Sequence, residues 1–218
     1  MFPISLDLKG KLVLMVGAGR VGKRKLAKLI AAGARLRLIE PQPDAEIRHL
    51  AESGHIELFN DFHPEQLEGV SLLFAATDRP EYNQAIAEEA KSKGVWCNIA
   101  DAPELSDFAL PAVATQGCFQ LTVATGGASP ALAAKVAADL RLRYGPEYGH
   151  LATLMAQLRP LVLSSGLAGP AREKMFKDLA DSEELRQALI ESEEDKVYEI
   201  LAELIDPLRL PPNFKLPV

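Results

Sequence analysis

The 218-residue sequence predicts an α/β fold in which helices cover a parallel β-sheet, followed by a second region that is mainly helical. Two observations lead to this prediction. Short apolar runs alternate with helical patterns up to about residue 111, and alternating strands and helices need crossover connections, which produce parallel sheets. From His150 onward the sequence is charged and mostly helical in its periodicity.

The elements of the first region follow from apolar periodicity and from the glycines and prolines that interrupt it. We predict strands at residues 11–16, 35–39, 56–59, 71–76 and 95–99, and the beginning of a sixth strand within 108–111. We predict helices at 21–32, 44–53 and 81–93. Each of these helices precedes a glycine, the residue that most often follows a helix end.

The second region has a different pattern. We predict a strand at 119–124, a Gly-Gly-Ala-Ser-Pro turn, and a helix over 130–144 that has Ser129 as its N-cap and Pro130 in its first turn. The helical remainder is expected to break at Pro160, at 166–170 and at Pro207.

Composition narrows the class of protein. Hydrophobic residues make up 48% of the chain and the net charge is −6, which argues against a nucleic-acid partner. The two cysteines and four histidines form neither a disulfide framework nor a metal-ligand spacing, so no metal site is predicted. The sequence shows no secretory signal and no apolar run of about 20 residues, so we expect a cytoplasmic protein without a membrane partner.

Residues 12–22 read LVLMVGAGRVG, and this stretch carries the strongest functional signal. A buried strand that ends in Gly-x-Gly-x-x-Gly before a helix is typical of a Rossmann-like dinucleotide site. Gly17 permits the tight turn, Gly19 lets the backbone approach the pyrophosphate, and Gly22 lets the helix pack against the strand. The helix N-terminus then offers N–H donors to the anion.

Glu40 ends the second predicted strand, about 20 residues after the glycine turn, where an acidic side chain binds the ribose hydroxyls of NAD and repels the 2′-phosphate of NADP. The alternative is a solvated charge at a strand end. Arg35 and Arg37 favour NADP in principle, but they lie within the strand, so we predict NAD.

Polar residues also follow the fourth and fifth predicted strands, where ligands bind in open α/β sheets. Thr77 and Asp78 either contact the cofactor or cap the next helix. Asn98 is a candidate for the ribose or the nicotinamide amide, and Asp101 is a candidate acid, base or electrostatic partner of a developing cation. The alternative for both is a local turn.

The Gly126-Gly127-Ala128-Ser129 loop joins a strand to a helix N-terminus and is a candidate site for an anionic group of the substrate. The alternative is a tight loop with an N-cap. A basic cluster on the first helix, at residues 20–28, is interpreted first as a solvated face.

Four segments resemble a known family in their order along the chain: VGAGRVGKRKLAKLIAAGARL, LLFAATDRPEYNQAIAEEAK, VWCNIADAPELSDFALPA and LTVATGGASPALAAKV. The sequence is similar to the siroheme-synthase N-terminal module, the family of precorrin-2 dehydrogenases with or without sirohydrochlorin ferrochelatase activity. The likeness covers residues 1 to about 150, and its most specific parts are C-N-x-x-D-x-P and G-G-x-S-P.

This resemblance implies an NAD-binding domain at 1–112, a dimerisation segment at 113–149 and a helical C-terminal domain at 150–218. It implies a homodimer that oxidises precorrin-2 to sirohydrochlorin with NAD⁺, followed in bifunctional members by insertion of Fe²⁺. It makes Asp101 the key active-site aspartate and Ser129 the counterpart of a serine that is phosphorylated in some relatives. It places Gly17, Gly19, Arg20, Val21 and Gly22 in the pyrophosphate loop and Pro41 and Gln42 beside the ribose.

The substrate's eight carboxylates call for local positive charge, for which Arg141, Arg143 and the first-helix cluster are candidates. Two other interpretations stay open at this point. One is an NAD-sensing regulatory module that does no chemistry, and the other is a dehydrogenase for a different small substrate.

Overall fold

The computed structural model describes residues 2–100, 102–205, 210–211 and 214–216. It divides the chain into two compact units, residues 1–110 and 111–218. The two units differ in kind, because the first is built on a parallel sheet and the second mainly on helices.

The first unit holds a five-stranded parallel sheet in the order β3-β2-β1-β4-β5. Its strands are β1 (Leu12–Val16), β2 (Arg35–Ile39), β3 (Glu57–Phe59), β4 (Val70–Ala75) and β5 (Trp96–Ile99). Its helices are α1 (Arg20–Ala31), α2 (Ala45–Glu52) and α3 (Pro80–Ser92). The strand order reverses beside β1, and ligands of such sheets bind at the carboxyl ends of the strands near this reversal.

Both faces of the sheet are covered, which explains why the central strand β1 is apolar and buried at every position. On one face, Val13 and Met15 of β1 pack in a core with Leu26 and Leu29 of α1. On the other face, alternate residues of β1 pack in a core with α3 and with Cys97 of β5. The α/β class with a Rossmann-like sheet, predicted from the sequence, is confirmed.

The second unit pairs β6 (Ala112–Gln116) with β7 (Phe119–Val123) in an antiparallel hairpin. Five helices follow among its described residues: α4 (Pro130–Arg143), α5 (Pro146–Ser164), α6 (Gly169–Asp181), α7 (Glu183–Glu191) and α8 (Glu194–Leu204). Helices α5 to α8 share an apolar core around Leu154, Leu158, Leu179 and Leu185. Within the described part of the chain, no helix combines the length and the apolarity that a membrane crossing needs.

The sixth strand predicted to begin within 108–111 is wrong, because residues 108–111 form no strand and the next strand begins at Ala112, in the separate hairpin. The free edge of β5 is covered by side chains instead. The Asp107 carboxylate accepts a hydrogen bond from the Cys97 N–H at 2.8 Å, and the Ser106 hydroxyl accepts one from the Ile99 N–H at 2.8 Å. These bonds satisfy donors that another strand would otherwise pair with.

The break predicted at Pro160 is also wrong, since α5 continues through this proline to Ser164. Pro160 lies on the exposed side of the helix, where water can hydrate the carbonyl that loses its intrahelical donor. Leu154, Leu158 and Val162 are buried along the opposite side and hold the helix together across the proline. The predicted break at 166–170 coincides with the gap between α5 and α6, and Pro207 lies outside the described residues.

Residues 113–149 and 150–218 fall into the same compact unit. The division of this unit into a dimerisation segment and a helical domain, and the 1–112 boundary before it, stay predictions.

Candidate cofactor site

The three glycines after β1 meet different surroundings. Gly17 has φ +90°, and a Cβ added there would lie 2.6 Å from the Ala76 carbonyl oxygen after β4. A Cβ on Gly22 would lie 2.2 Å from the carbonyl oxygen of Gly17, so α1 packs closely against the turn. A Cβ on Gly19 would meet nothing within 4 Å. Two glycines are therefore needed for packing, while Gly19 faces open space at the sheet edge where ligands bind.

Helix α1 begins directly after Gly19, its N-cap, with Arg20 and Val21 exposed in the first turn. Its first turn contains no acidic residue and Gly19 contributes no side-chain cap, so neither opposes an anion there. The first N–H groups of a helix have no intrahelical acceptor and carry the positive end of its dipole. This turn therefore has the donors and the clearance that a pyrophosphate requires.

Glu40 lies directly beside the glycine turn. One carboxylate oxygen accepts a hydrogen bond from the Ala18 N–H at 2.7 Å, and the other accepts one from the Gln42 N–H at 3.1 Å. Pro41 and Gln42 continue from it as an exposed turn. The acidic side chain just after β2 is thus held against the glycine turn, and its contact with a ribose stays a prediction.

Three basic side chains of β2 and α1, Arg35, Arg37 and Lys23, are paired with acidic side chains. The Arg37 guanidinium binds the Glu57 carboxylate at 2.9 Å and the Gln66 carbonyl at 2.9 Å, and Arg35 lies 3.8 Å from the same glutamate. Lys23 pairs with Asp44 and with Glu46 at 2.6 Å, and its bond to Asp44 holds the pKa of this carboxyl below its usual range. The two arginines are engaged within the sheet, which removes the argument for NADP.

The turn after β4 is fixed by a buried amide that sequence reasoning missed. The Thr77 hydroxyl donates to Asn83 Oδ1 at 2.6 Å, and the Asn83 amide donates back to the Thr77 carbonyl at 3.1 Å. The N-cap of α3 is Arg79, so neither Thr77 nor Asp78 occupies the cap position. Asp78 is exposed. Cofactor contacts of Thr77 and Asp78 stay predictions.

Asn98, near the end of β5, has both ends of its amide bonded. Its Nδ2 donates to the Phe108 carbonyl at 2.9 Å, and its Oδ1 accepts a hydrogen bond from Lys25 Nζ. Lys25 is half-buried, so the interpretation of the whole first-helix cluster as a solvated face is wrong for this residue. The signal that could have revealed it is its position two turns after the glycine loop, on the side of the helix that faces the sheet.

Cys97, next to Asn98, points to the opposite face of the sheet. Its Sγ lies 3.2 Å from the Asp107 carboxylate and 3.3 Å from the Leu105 carbonyl. Burial, reinforced by the hydrogen bond to Asp107, raises the pKa of the Cys97 thiol to about 11. This thiol is therefore protonated at neutral pH and serves the fold rather than acting as a nucleophile.

Asp101, the predicted catalytic residue, lies outside the described residues. The residues on either side of it, Ala100 and Ala102, make hydrogen bonds. Ala100 N–H donates to the Ala75 carbonyl at 2.8 Å, and the Ser106 hydroxyl donates to the Ala102 carbonyl at 3.1 Å.

In the second unit, Ser129 caps α4 as predicted, since its hydroxyl accepts a hydrogen bond from the Leu132 N–H at 3.2 Å. Gly126 and Gly127 have φ values of +63° and +89° and open space around them. A substrate role for this loop stays a prediction. Among the described residues, no cluster of three or more His, Cys, Asp or Glu side chains could hold a metal ion.

The parallel sheet, the glycine turn at its strand-order reversal and the acid at the tip of β2 define a Rossmann-class dinucleotide-binding protein. Residues 4–112 match the family model NAD_binding_7, described as "Putative NAD(P)-binding". The chain belongs to this family.

Similar proteins extend the likeness beyond the first unit. The chain is 34% identical over 188 residues to Siroheme synthase 3 of Aeromonas hydrophila, which covers 86% of this chain and 40% of that protein. It is 35% identical over 181 residues to a siroheme synthase of Chromobacterium violaceum, and the match covers 83% of this chain and 38% of that protein. The chain thus spans about 40% of the length of the curated relatives it matches. The predicted relationship to the siroheme-synthase module is confirmed.

A solved structure, "SirC, precorrin-2 dehydrogenase", has a TM-score of 0.75 to this chain with 24% sequence identity, and the match covers 94% of this chain and 98% of the other. This likeness shows that the two chains share a fold along nearly their whole length.

Proposed function

We propose that this chain oxidises precorrin-2 to sirohydrochlorin with NAD⁺, a step of siroheme biosynthesis. The observation that carries the proposal is the cofactor cradle formed by the open Gly19 turn and the fixed Glu40 carboxylate. This cradle lies in a chain that resembles siroheme synthases over 86% of its length.

The residues present fit NAD. Gly17, Gly19, Gly22 and the first turn of α1 would hold the pyrophosphate, and Glu40 would accept hydrogen bonds from the ribose hydroxyls. A 2′-phosphate on that ribose would meet the Glu40 carboxylate, while Arg37 is bound to Glu57, so NAD is preferred over NADP. When bound, NAD⁺ supplies the hydride acceptor of the reaction.

Oxidation removes one hydride and one proton from the tetrapyrrole, so the protein must also provide for the proton. By resemblance we assign this role to Asp101, whose carboxylate either accepts the proton or stabilises the positive charge left by hydride loss. Both roles require the negative charge, which the Asp101→Asn substitution removes.

The second unit also has groups that suit the tetrapyrrole, and we propose that they contribute to its binding. The loop of Gly126, Gly127 and Ser129 offers backbone N–H groups, and Arg141 and Arg143 are exposed in the last turn of α4. Arginines of this kind suit the carboxylates of a tetrapyrrole.

We also propose that the chain is a homodimer. Residues 113–149 carry exposed apolar side chains: Val113 is 41% exposed, Leu132 53% and Leu142 86%. The β6–β7 hairpin already packs against α4 and α5, so the proposal depends on these exposed apolar side chains, which a partner surface would remove from water. Light scattering after size exclusion tests this, and a monomer at micromolar concentration contradicts it.

The test of the activity is anaerobic incubation of the purified chain with precorrin-2 and NAD⁺. We expect NADH and sirohydrochlorin in equal amounts, and about a 100-fold loss of rate in Asp101→Ala and Asp101→Asn. Asp61→Asn, which changes an exposed aspartate outside the site, is the matched control. NADH binding without turnover would instead support the sensor interpretation, and turnover of another substrate would support a different dehydrogenase.

Iron insertion is the second activity that the resemblance implies, with Fe²⁺ as a substrate and Asp101 as the candidate acceptor of the pyrrole protons. Absorption spectra of sirohydrochlorin mixed with Fe²⁺ test this activity, because they show whether siroheme forms faster with the protein than without it.

A further inference from the structure

Four residues near the carboxyl ends of β4 and β5, Lys25, Phe74, Asn98 and Phe108, form a closed ring of contacts through three side chains and through both the side chain and the carbonyl of Phe108. Lys25 Nζ of α1 lies 5.2 Å from the centroid of the Phe74 ring, and Phe74 meets Phe108 edge-on at 5.4 Å with an interplanar angle of 89°. The Phe108 carbonyl accepts the hydrogen bond from Asn98 Nδ2, and Asn98 Oδ1 accepts the one from Lys25. The ring joins α1, strand β4, the edge strand β5 and the segment after β5.

This ring fixes the orientation of the Asn98 amide. Its oxygen faces an ammonium group, which can only donate, and its nitrogen faces a carbonyl oxygen, which can only accept. A flipped amide would oppose donor to donor and acceptor to acceptor. Lys25 and the Phe108 carbonyl together therefore decide which way the amide points, and Lys25 joins residue 98 to α1.

The hydrogen bond between Lys25 and Asn98 belongs to a class that is stronger than hydrogen bonds between neutral groups. It is charge-assisted and partly buried, and the aromatic face of Phe74 lies near the same ammonium. Along the free edge of β5, the Asp107 carboxylate and the Ser106 hydroxyl accept hydrogen bonds from the N–H groups of Cys97 and Ile99. The described residues of this segment, 98–100 and 102–108, are thus bonded to α1 on one side and along the free edge of β5 on the other.

We propose that Lys25 is a positioning residue, which acts through Asn98 to hold the segment 98–108 in the arrangement that catalysis needs. The kinetic part of this inference rests on the proposed dehydrogenase function. Lys25 is not assigned to the pyrophosphate, because its Nζ is bound at the end of β5 rather than at the glycine turn.

The first experiment compares Lys25→Met and Lys25→Arg with Lys174→Met, which removes an exposed lysine of α6 in the second unit. Lys25→Met keeps an apolar stem over Phe74 but removes the donor and the charge. We expect it to lower kcat about 10-fold or more and to change the Kd of NADH less than about 3-fold, because a lost charged hydrogen bond costs this much. Lys25→Arg keeps a donor and should recover part of the rate.

The second experiment measures amide hydrogen exchange of peptides that cover 98–108, in the purified chain without substrate. We expect faster exchange in Lys25→Met than in the unmodified chain, with no change there in Lys174→Met. This measurement decides the positioning role even if the unmodified chain fails to oxidise precorrin-2, so failure of the proposed function is recognised separately.

The third arm asks whether Lys25 acts through Asn98. If it does, Lys25→Met combined with Asn98→Ala is no slower and exchanges no faster than Asn98→Ala alone. Full additivity overturns the proposal, and so does exchange in 98–108 that is the same in Lys25→Met as in Lys174→Met. If Lys25→Met does not fold, Lys25→Gln takes its place, with the same expected and overturning results.

Discussion

The Glu40 carboxylate and the Ala18 N–H are joined by a 2.7 Å hydrogen bond, although 22 residues separate them along the chain. This bond ties the tip of β2 to the glycine turn after β1. It holds a negative charge near the open Gly19, in the cradle that we propose for the pyrophosphate and ribose of the cofactor.

Glu40→Gln should weaken NAD⁺ binding about 10-fold, because a hydrogen bond to a charged acceptor is lost. The same change should bring the affinities for NAD⁺ and NADP⁺ closer together, since the repulsion of a 2′-phosphate disappears. Titration calorimetry with both cofactors measures this. Glu52→Gln, at the exposed end of α2, is the control, and an unaltered NAD⁺ to NADP⁺ ratio in Glu40→Gln would contradict the assignment.

Substitutions of the three glycines should affect stability and cofactor binding differently. Gly17→Ala and Gly22→Ala should each lower the free energy of unfolding by about 2–4 kcal/mol, because their Cβ atoms overlap backbone oxygens. Gly19→Ala should keep the unfolding free energy within about 1 kcal/mol but weaken NADH binding 10-fold or more, since the methyl group occupies the approach to the phosphates. Urea unfolding and NADH fluorescence check both results. Equal loss of stability in all three variants would show that the open space at Gly19 has no functional meaning.

The two cysteines should differ in reactivity. Cys118 is exposed, whereas Cys97 is buried and its pKa is raised to about 11. Iodoacetamide at pH 8 should therefore label Cys118 and spare Cys97. Asp107→Ala removes the acceptor at Cys97 and frees the segment over it, so labelling of Cys97 should accelerate, as peptide mass spectrometry can show. Labelling of Cys97 at the rate of Cys118 in the unmodified chain would disprove its burial.

The same thiol gives a pH dependence of stability. Its pKa is 9.0 ordinarily and about 11 in the folded chain, so between these values the folded state keeps a proton that the unfolded state has released. The stabilisation from Cys97 is complete below pH 9 and is lost as the pH rises through about 11. Urea unfolding at pH 8 and pH 10.5 should therefore show a larger loss for the unmodified chain than for Cys97→Ala, in which the other titrating groups remain. Equal losses would mean that the thiol pKa is not raised.

Pro160→Ala should stabilise the second unit. Proline inside a helix costs about 3 kcal/mol relative to alanine, and Pro160 is exposed within α5, so replacing it should raise the free energy of unfolding by about 1–3 kcal/mol. Pro146→Ala is the matched control, because this proline lies in the first turn, where its missing N–H has no cost. Chemical unfolding of both variants measures the difference, and a gain in Pro146→Ala alone would contradict the argument.

The local elements could be read from the sequence because their causes are local. Five strands and three helices of the first unit were placed within one or two residues, since apolar runs and glycine stops identify them. The Ser129 cap followed from a serine before a proline at a helix start. Prediction went wrong where a distant contact outweighed a local preference, as at Pro160, where a buried helix face opposes a single proline, and at residues 108–111, where side chains of Ser106 and Asp107 replace a strand.

By itself, the sequence determined the order of strands and helices, the glycine turn and the acid at the end of β2, because backbone conformation and side-chain periodicity are set by neighbouring residues. Only the tertiary structure decided that Lys25 binds Asn98, 73 residues away, that Arg37 is held by Glu57, and that Gly19 alone of the three glycines has open space. Such pairings depend on which strands and helices become neighbours in the folded sheet. Residue spacing and residue type along the chain do not specify those neighbours.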